Sequence, residues 1–335
     1  MDLDPTTLQQ QIDPFGRVID YLRISITDRC NERCLYCMPE GYTGWSQRQD
    51  HLTADEIVAT VEAAISMGFR KFRITGGEPL IRADAVEILE RIRALPGTQT
   101  VGVSTNATRL ATLAPALKKA GVCSINISLD ALDPARYRAI TGGDLGTVLQ
   151  GIEASLAQNF ELIKLNCVLL RGWNEEDYFP LIDFAAERSL PIRFIELMPL
   201  SSGHRTDDPR FLPVQEVMVR LQSEGELIPC ENLRIGHGPA RYFQFKRPGH
   251  ALARIGLIGA LSEEHFCANC NKIRLTADGK LRPCLGRHGE IDLLASLRAG
   301  RRPEEALHQA IANKPEKHAF LEDYAPGRPM TAIGG

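Results

Sequence analysis

Through its first 200 residues the chain alternates short β-branched runs with segments of helical periodicity. Val18–Ser25, Lys71–Thr75, Gln99–Ser104, Cys123–Ser128, Leu162–Leu169 and Ile192–Leu197 read as strands. Between them Thr53–Met67, Ala83–Leu95, Leu110–Ala120, Leu145–Gln158 and Glu175–Arg188 read as helices. Thr53 and Glu56 have the spacing of a capping box, and Gly68 and Gly121 follow the last helical residues of their segments. So regular an alternation predicts βαβ units around a parallel sheet. Six strands are too few to close an eight-stranded barrel, so the expected fold is an open, partial α/β barrel.

After Met198-Pro199 the pattern changes. Ser201–Pro213 reads as a polar loop, Val214–Glu224 as a helix, and Arg241–Lys246 and Arg254–Ile258 as strands. Residues 1–200 are therefore expected to form one domain and residues 201–335 a second. The tail from Ala325 to Gly335 is too short and too rich in Gly and Pro to make an element of its own.

Composition narrows the class of protein. The 39 Lys and Arg against 42 Asp and Glu give a net charge of -3. That balance argues against holding nucleic acid or an anionic membrane through bulk charge, but leaves room for a local basic pocket. No run approaches the ~18 apolar residues that would mark a membrane span. The start, Met1-Asp2-Leu3-Asp4-Pro5, lacks the basic and apolar stretches of a leader, so a cytoplasmic protein is expected. There, nine cysteines imply metal or redox chemistry rather than disulfide staples.

Cys30-Asn-Glu-Arg-Cys34-Leu-Tyr-Cys37 gathers three of those thiols into eight residues directly after the first strand. Soft thiolates suit an iron–sulfur cluster, and three of them leave one iron of a four-iron cubane open to another ligand. A zinc loop or unrelated core cysteines are the alternatives. The loop resembles the cluster motif of the radical S-adenosylmethionine (SAM) superfamily, whose partial (β/α)6 barrel matches the strand count. Ile74-Thr-Gly-Gly-Glu-Pro79 fits the same resemblance. Glycines let a backbone approach a ligand closely, and the superfamily uses this motif to hold the aminopropyl part of SAM. Tyr36 would by the same resemblance meet the adenine region; the lesser reading is that it packs on the barrel rim.

Cys267-Ala-Asn-Cys270 is followed, after thirteen intervening residues, by Cys284. A structural zinc site normally takes four protein ligands, and His265 or His288 could complete one. The other reading is a second iron–sulfur cluster whose open iron meets the substrate. The stretch Cys270-Asn-Lys-Ile-Arg-Leu-Thr-Ala-Asp-Gly-Lys-Leu-Arg-Pro-Cys284 favours it. It is similar, nearly letter for letter, to the C-terminal signature of the GTP 3′,8-cyclase family of molybdenum cofactor biosynthesis. Ile333-Gly334-Gly335 resembles that family's double-glycine terminus, which reaches into the active site. The resemblance runs from Phe15-Gly16-Arg17 to Gly335.

This resemblance implies two 4Fe-4S clusters, on Cys30, Cys34 and Cys37 and on Cys267, Cys270 and Cys284, with SAM as the other cofactor. It implies SAM contacts at Tyr36, Gly77, Ser128 and Met198, and GTP contacts at Arg23, Arg73, Thr105, Lys164, Lys272, Ile273 and Arg274. Gly334 and Gly335 would be catalytic. A radical derived from SAM takes hydrogen from C3′ of GTP, and C3′ then bonds to C8. The product is (8S)-3′,8-cyclo-7,8-dihydroguanosine 5′-triphosphate. A downstream cyclic pyranopterin monophosphate synthase, a flavodoxin- or ferredoxin-type electron donor and a homodimer are implied partners. The family has arginine where this chain has Lys272, which keeps the charge but loses the planar fork.

The residues themselves say less. Lys272 and Arg274 alternate on a strand and so share a face. A cation aimed into a barrel is costly without a counter-charge, which a polyphosphate supplies. Lys164 in Leu162-Ile-Lys-Leu is hard to read as a surface residue, whereas Arg23 and Arg73 could be surface or ion-paired arginines. Ser128 and Met198 alone read more readily as turn and core. Cys123, Cys167 and Cys230 lack partners at metal spacing, and the first two read as buried thiols. Two other functions remain in view: a peptide-modifying radical SAM maturase, which usually has more C-terminal cysteines, and a zinc-binding or redox-sensing protein.

Overall fold

The computed structural model describes residues 10–38, 41–47, 50–200, 207–230, 235–322, 324 and 327–334. Six βα steps come first: strands β1 Tyr21–Ser25, β2 Lys71–Thr75, β3 Thr100–Thr105, β4 Ser124–Ser128, β5 Leu162–Leu169 and β6 Pro191–Glu196. The helices between them are α1 Ala54–Ser66, α2 Ala85–Ala94, α3 Leu110–Lys119, α4 Pro134–Thr141, α5 Leu145–Leu156 and α6 Tyr178–Glu187. There follow α7 Val214–Glu224, β7 Glu226–Pro229, β8 Arg241–Lys246 and β9 Ala253–Ile258. The last part holds β10 Lys272–Leu275, β11 Lys280–Arg282, β12 Ile291–Asp292, α8 Leu293–Arg298, α9 Pro303–Ala312 and α10 Met330–Ile333.

All twelve strands join one sheet, in the order β12-β11-β10-β1-β2-β3-β4-β5-β6-β9-β8-β7. From β10 through β1–β6 to β9 every pairing is parallel. The outer pairs, β10–β11–β12 and β9–β8–β7, are antiparallel, so the sheet stays open as the strand count predicts. It also runs unbroken across residue 200, because β9 adds to β6 and β10 to β1.

The sheet's two faces differ. Leu22, Ile24, Phe72, Ile74, Val101, Val103, Ile125 and Ile127 are buried with Ile57, Val61, Ile88, Leu89 and Leu117 of the helices. That outer apolar layer holds the barrel together. Alternate residues face inward and are polar, which a sealed core does not tolerate. At the start of α1 the capping box is present, with the Thr53 side chain accepting from the Glu56 amide. Its loss by Thr53→Ala would cost about 1 kcal/mol.

Several boundaries differ from the reading above. Val18 lies outside β1 and makes an isolated antiparallel bridge to Ile12. The Glu175–Arg188 segment begins as a 3-10 turn, Glu175–Asp177, before α6. Helix α4 was not expected, although Asp133 caps it and Pro134 opens it. The tail does form an element: Met330–Ile333 makes one helical turn, and Ile333 packs into a small second core with Leu200, Phe320 and Tyr324. Burial of that side chain outweighs the tail's poor composition. Of the expected polar loop, residues 201–206 lie outside the described residues, as do Ala325, Pro326 and Gly335 of the tail.

Candidate active site

The inward faces of the strands and the loops at both ends line one cavity of about 340 Å³. It receives Tyr21 and Arg23 from β1, Arg73 and Thr75 from β2, Asn126 and Ser128 from β4. Lys164 and Asn166 come from β5, Arg193 from β6, and Lys272 and Arg274 from β10. Register explains the grouping: Arg274 pairs with Arg23 and Arg23 with Arg73, so three guanidinium side chains stand side by side on one face. All six triad cysteines line the same cavity, and all nine cysteines are free thiols.

At the C-terminal ends of the strands the cavity is acidic. The loop after β1 carries Cys30, Cys34 and Cys37, with Glu32, Glu78 and Asp130 around it. Burial lifts the Cys30 and Cys37 thiols to about 12 and Cys34 well above its usual range; neighbouring carboxyls and thiols push Cys30 and Cys34 the same way. Burial also holds Glu78 up at about 7, against hydrogen bonds from Asn106, Leu80 and Thr105. Asp130 rises to about 6 for the same reason and accepts from the Tyr36 hydroxyl at 2.7 Å. Tyr36 is thus fixed by a hydrogen bond as well as by packing.

Gly77 also meets a packing demand of its own. Its amide donates to the Thr27 carbonyl at 2.8 Å, and the Glu78 amide donates to that of Arg29 at 2.8 Å. A Cβ on Gly77 would collide with the Arg29 carbonyl. The glycine therefore seats the loop after β2 on the cysteine loop, a demand that exists before any ligand arrives.

At the other end the cavity is basic. Cys270 lies two residues before β10, and Cys284 two residues after β11, whose Arg282 pairs with Arg274. That register sets the second triad at the opposite end of the barrel from the first. Burial lowers Arg23 to about 10, Arg274 to about 9 and Lys164 to about 6, and neighbouring cations add to each. Lys164 is 2% exposed and pairs with no carboxylate among the described residues. Arg73 is held more firmly, donating to the Tyr21 hydroxyl at 2.7 Å, the Val103 carbonyl at 2.9 Å and Ser124 Oγ at 2.8 Å. The Lys272 ammonium sits 5.5 Å from the centre of the Tyr21 ring.

The tail enters between the two ends. The Gly334 carbonyl accepts from Arg274 Nη1. Gly334 has φ +76°, and a Cβ there would stand 2.9 Å from Ser25 Cβ and 3.0 Å from Thr75 Cγ2, so only glycine fits. Met330 and Thr331 line the cavity beside it.

The cavity therefore collects Arg23, Tyr36, Arg73, Gly77, Thr105, Ser128, Lys164, Met198, Lys272 and Arg274. Ile273 and Gly334 are not among its lining residues: the Ile273 side chain is buried in the outer apolar core, Gly334 reaches the site through its carbonyl on Arg274, and Gly335 lies outside the described residues. Thr105 lines the wall, yet its hydroxyl donates to Glu78 Oε1 at 2.8 Å. Sequence reasoning missed Arg193, 5% exposed and donating to Asn166 Oδ1 at 2.8 Å, although a lone arginine in Pro191-Ile-Arg-Phe-Ile carries the signal that marked Lys164. It also missed His237, set edge-on to Tyr21 at 6.1 Å, which nothing in its loop announces. Cys123 and Cys167 are buried as expected, and Cys230 is half-buried.

The donor sets fit iron–sulfur clusters better than zinc. His288 stacks on Tyr324 at 5.1 Å and does not line the cavity. No three His, Cys, Asp or Glu side chains converge closely enough for a single metal ion among the described residues, which omit the His265 side chain. A four-iron cube spreads its three thiolates more widely than one ion does.

Comparison with known proteins decides the assignment. Residues 24–185 match the radical SAM superfamily and residues 190–320 the family described as Molybdenum Cofactor Synthesis C. The chain is 42% identical over 328 residues to a GTP 3′,8-cyclase of Pelotomaculum thermopropionicum, covering 96% of this chain and 99% of that protein. It belongs to the GTP 3′,8-cyclase family. A second cyclase, from Listeria monocytogenes, is 40% identical over 96% of the chain and 98% of its own length. Among solved structures, Streptococcus suis SuiB bound to precursor peptide SuiA superposes with a TM-score of 0.64 at 14% identity, covering 90% of this chain and 67% of that one. That likeness shows the shared fold alone, while the cyclase relatives match nearly end to end.

Proposed function

We propose that the chain converts GTP to (8S)-3′,8-cyclo-7,8-dihydroguanosine 5′-triphosphate in molybdenum cofactor biosynthesis, with SAM at the acidic end of the cavity and GTP at the basic end. The observation that carries this reading is the polarity of one cavity, with a cysteine triad at each end. SAM bears a sulfonium and an ammonium, which match the buried carboxyls at Glu78 and Asp130. GTP bears a triphosphate, which matches the buried cations gathered at Arg23, Lys164, Arg193, Lys272 and Arg274.

Cys30, Cys34 and Cys37 would hold one 4Fe-4S cluster and Cys267, Cys270 and Cys284 the other. When bound, clusters and SAM supply the electron and the radical chemistry that joins C3′ to C8. The protein's part is positioning and exclusion of water. Tyr36, Gly77, Ser128 and Met198 would orient SAM, with Tyr36 locked by Asp130. Arg73, fixed by three hydrogen bonds, would offer a pre-set guanidinium edge to the nucleotide. Thr105 and the backbone at Ile273 would contact GTP, and Lys272 would neutralise charge without bidentate geometry. Gly334, and Gly335 beyond it, would bring the chain's end to the reacting ribose.

Residues 1–200 and 201–335 would act as barrel and second-cluster parts of one working unit. By its family the chain would pass its product to cyclic pyranopterin monophosphate synthase, draw electrons from a flavodoxin- or ferredoxin-type donor, and work as a cytoplasmic homodimer.

The test is anaerobic reconstitution followed by reduction in the presence of SAM and GTP. About eight irons per chain and the cyclised dihydro-nucleotide by mass spectrometry are expected. Deoxyadenosine without cyclised GTP, or a colourless zinc protein, would overturn the reading.

A further inference from the structure

Lys314 stands in the turn that follows α9 and is 3% exposed. Its ammonium donates to the Lys272 carbonyl at 2.9 Å, the Pro283 carbonyl at 2.9 Å and Cys270 Sγ at 3.3 Å. No carboxylate pairs with it among the described residues. A lysine is almost never buried this deeply without an opposite charge, since the cost is several kcal/mol. Two neutral carbonyls do not supply that charge, and a neutral thiol accepts hydrogen bonds poorly. A ligating thiolate at Cys270 does supply it. The lysine also ties together two strands: Lys272 begins β10, and Pro283 precedes Cys284.

Among the described residues no lysine or arginine donates to a sulfur of the first triad. There Glu32, Glu78 and Asp130 surround the sulfurs, and Arg33 is turned to the Cys30 carbonyl at 2.7 Å. Hydrogen bonds and positive charge at a ligating sulfur withdraw electron density from the metal, and so favour its reduced form.

We propose that Lys314 is a positioning residue of the second centre: its ammonium bonds the Cys270 sulfur, holds the Cys270 and Cys284 segments in register, and raises the reduction potential of that cluster relative to the first. The proposal rests on the second triad holding a cluster. Iron content of the unaltered protein tests that premise separately: half the expected iron would sink the premise, whereas full iron leaves the lysine's role to be decided by the titration.

The experiment is a potentiometric titration of the reconstituted holoprotein followed by electron paramagnetic resonance. In Lys314→Met the midpoint of the second cluster should move to more negative potential while that of the first stays put. Lys314→Arg should move it part of the way back. An unchanged midpoint in Lys314→Met with full iron would overturn the proposal. If Lys314→Met loses iron at the second site, Lys314→Gln, which keeps a donor without the charge, is titrated instead; a midpoint equal to that of the unaltered protein would overturn it there.

Discussion

Cys30, Cys34 and Cys37 sit among buried carboxyls, whereas Cys267, Cys270 and Cys284 sit among buried cations. Cys34 is pushed well above its usual range by burial, by Glu32 and Asp130, and by its sister thiols. Burial would raise Cys270 as well, but Lys314 and Lys272 outweigh it and bring the thiol down to about 7. Two triads of like composition thus occupy opposite electrostatic settings in one cavity. The difference is what the proposed function rests on: it suits a cation beside the first triad and a polyanion beside the second. A net charge of -3 for the whole chain conceals both.

The comparison breaks most sharply when one triad is removed at a time. Cys34→Ala should abolish both SAM cleavage and GTP cyclisation, with iron falling from about eight to about four per chain. Cys284→Ala should lose the same share of iron and all cyclisation, yet keep some substrate-independent SAM cleavage. Deoxyadenosine and nucleotide product, followed in parallel by chromatography, separate the two outcomes.

Cations of the basic end come next. Arg274→Ala removes a charge-assisted contact worth about 2–3 kcal/mol, so GTP should bind roughly 30- to 150-fold more weakly. SAM cleavage without GTP should stay largely intact, as read by equilibrium binding and a deoxyadenosine assay. Equal loss of both would undo the division of the cavity.

Protonation sharpens the contrast further. Burial and nearby guanidinium groups set empty-site Lys164 at about 6, so above pH 6 it is mostly neutral until a polyphosphate arrives. GTP binding then takes up a proton, because the triphosphate raises the lysine's pKa in the complex. Affinity should fall by up to about tenfold per pH unit above about pH 6, until the bound lysine also titrates. Calorimetry in buffers of different ionisation enthalpy should show this uptake, and Lys164→Met should remove it. The smallest effect expected is from Lys272→Arg, which restores a planar fork and should tighten GTP binding several-fold.

The barrel was legible in sequence because period-2 and period-3.6 patterns alternate cleanly, and the outer face of each strand is apolar. Strand β5 matches its expected bounds, Leu162–Leu169, to the residue. Short pieces such as β7, β11 and β12 were missed because strands of two to four residues carry too little pattern. The cysteines were legible because three of them fall within eight residues and the other three lie in a recognisable signature, although Cys284 meets Cys270 only through the β10–β11 pairing. Arg193 was passed over although a lone cation in an apolar strand is the signal that marked Lys164, whereas Lys314 shows its role only through Cys270, distant in sequence. Gly77 was found for an incomplete reason, since its contact with Arg29 appears only when the two loops are packed.

The central claim is that one cavity holds SAM at the first triad and GTP at the second. Its most direct test is a pair of binding isotherms, labelled SAM and labelled GTP, on the reconstituted protein and on Cys34→Ala and Cys284→Ala. The account predicts that Cys34→Ala loses SAM and keeps GTP, while Cys284→Ala loses GTP and keeps SAM. Loss of both ligands in either variant that still folds and keeps its other cluster, or the reverse pattern, would contradict it.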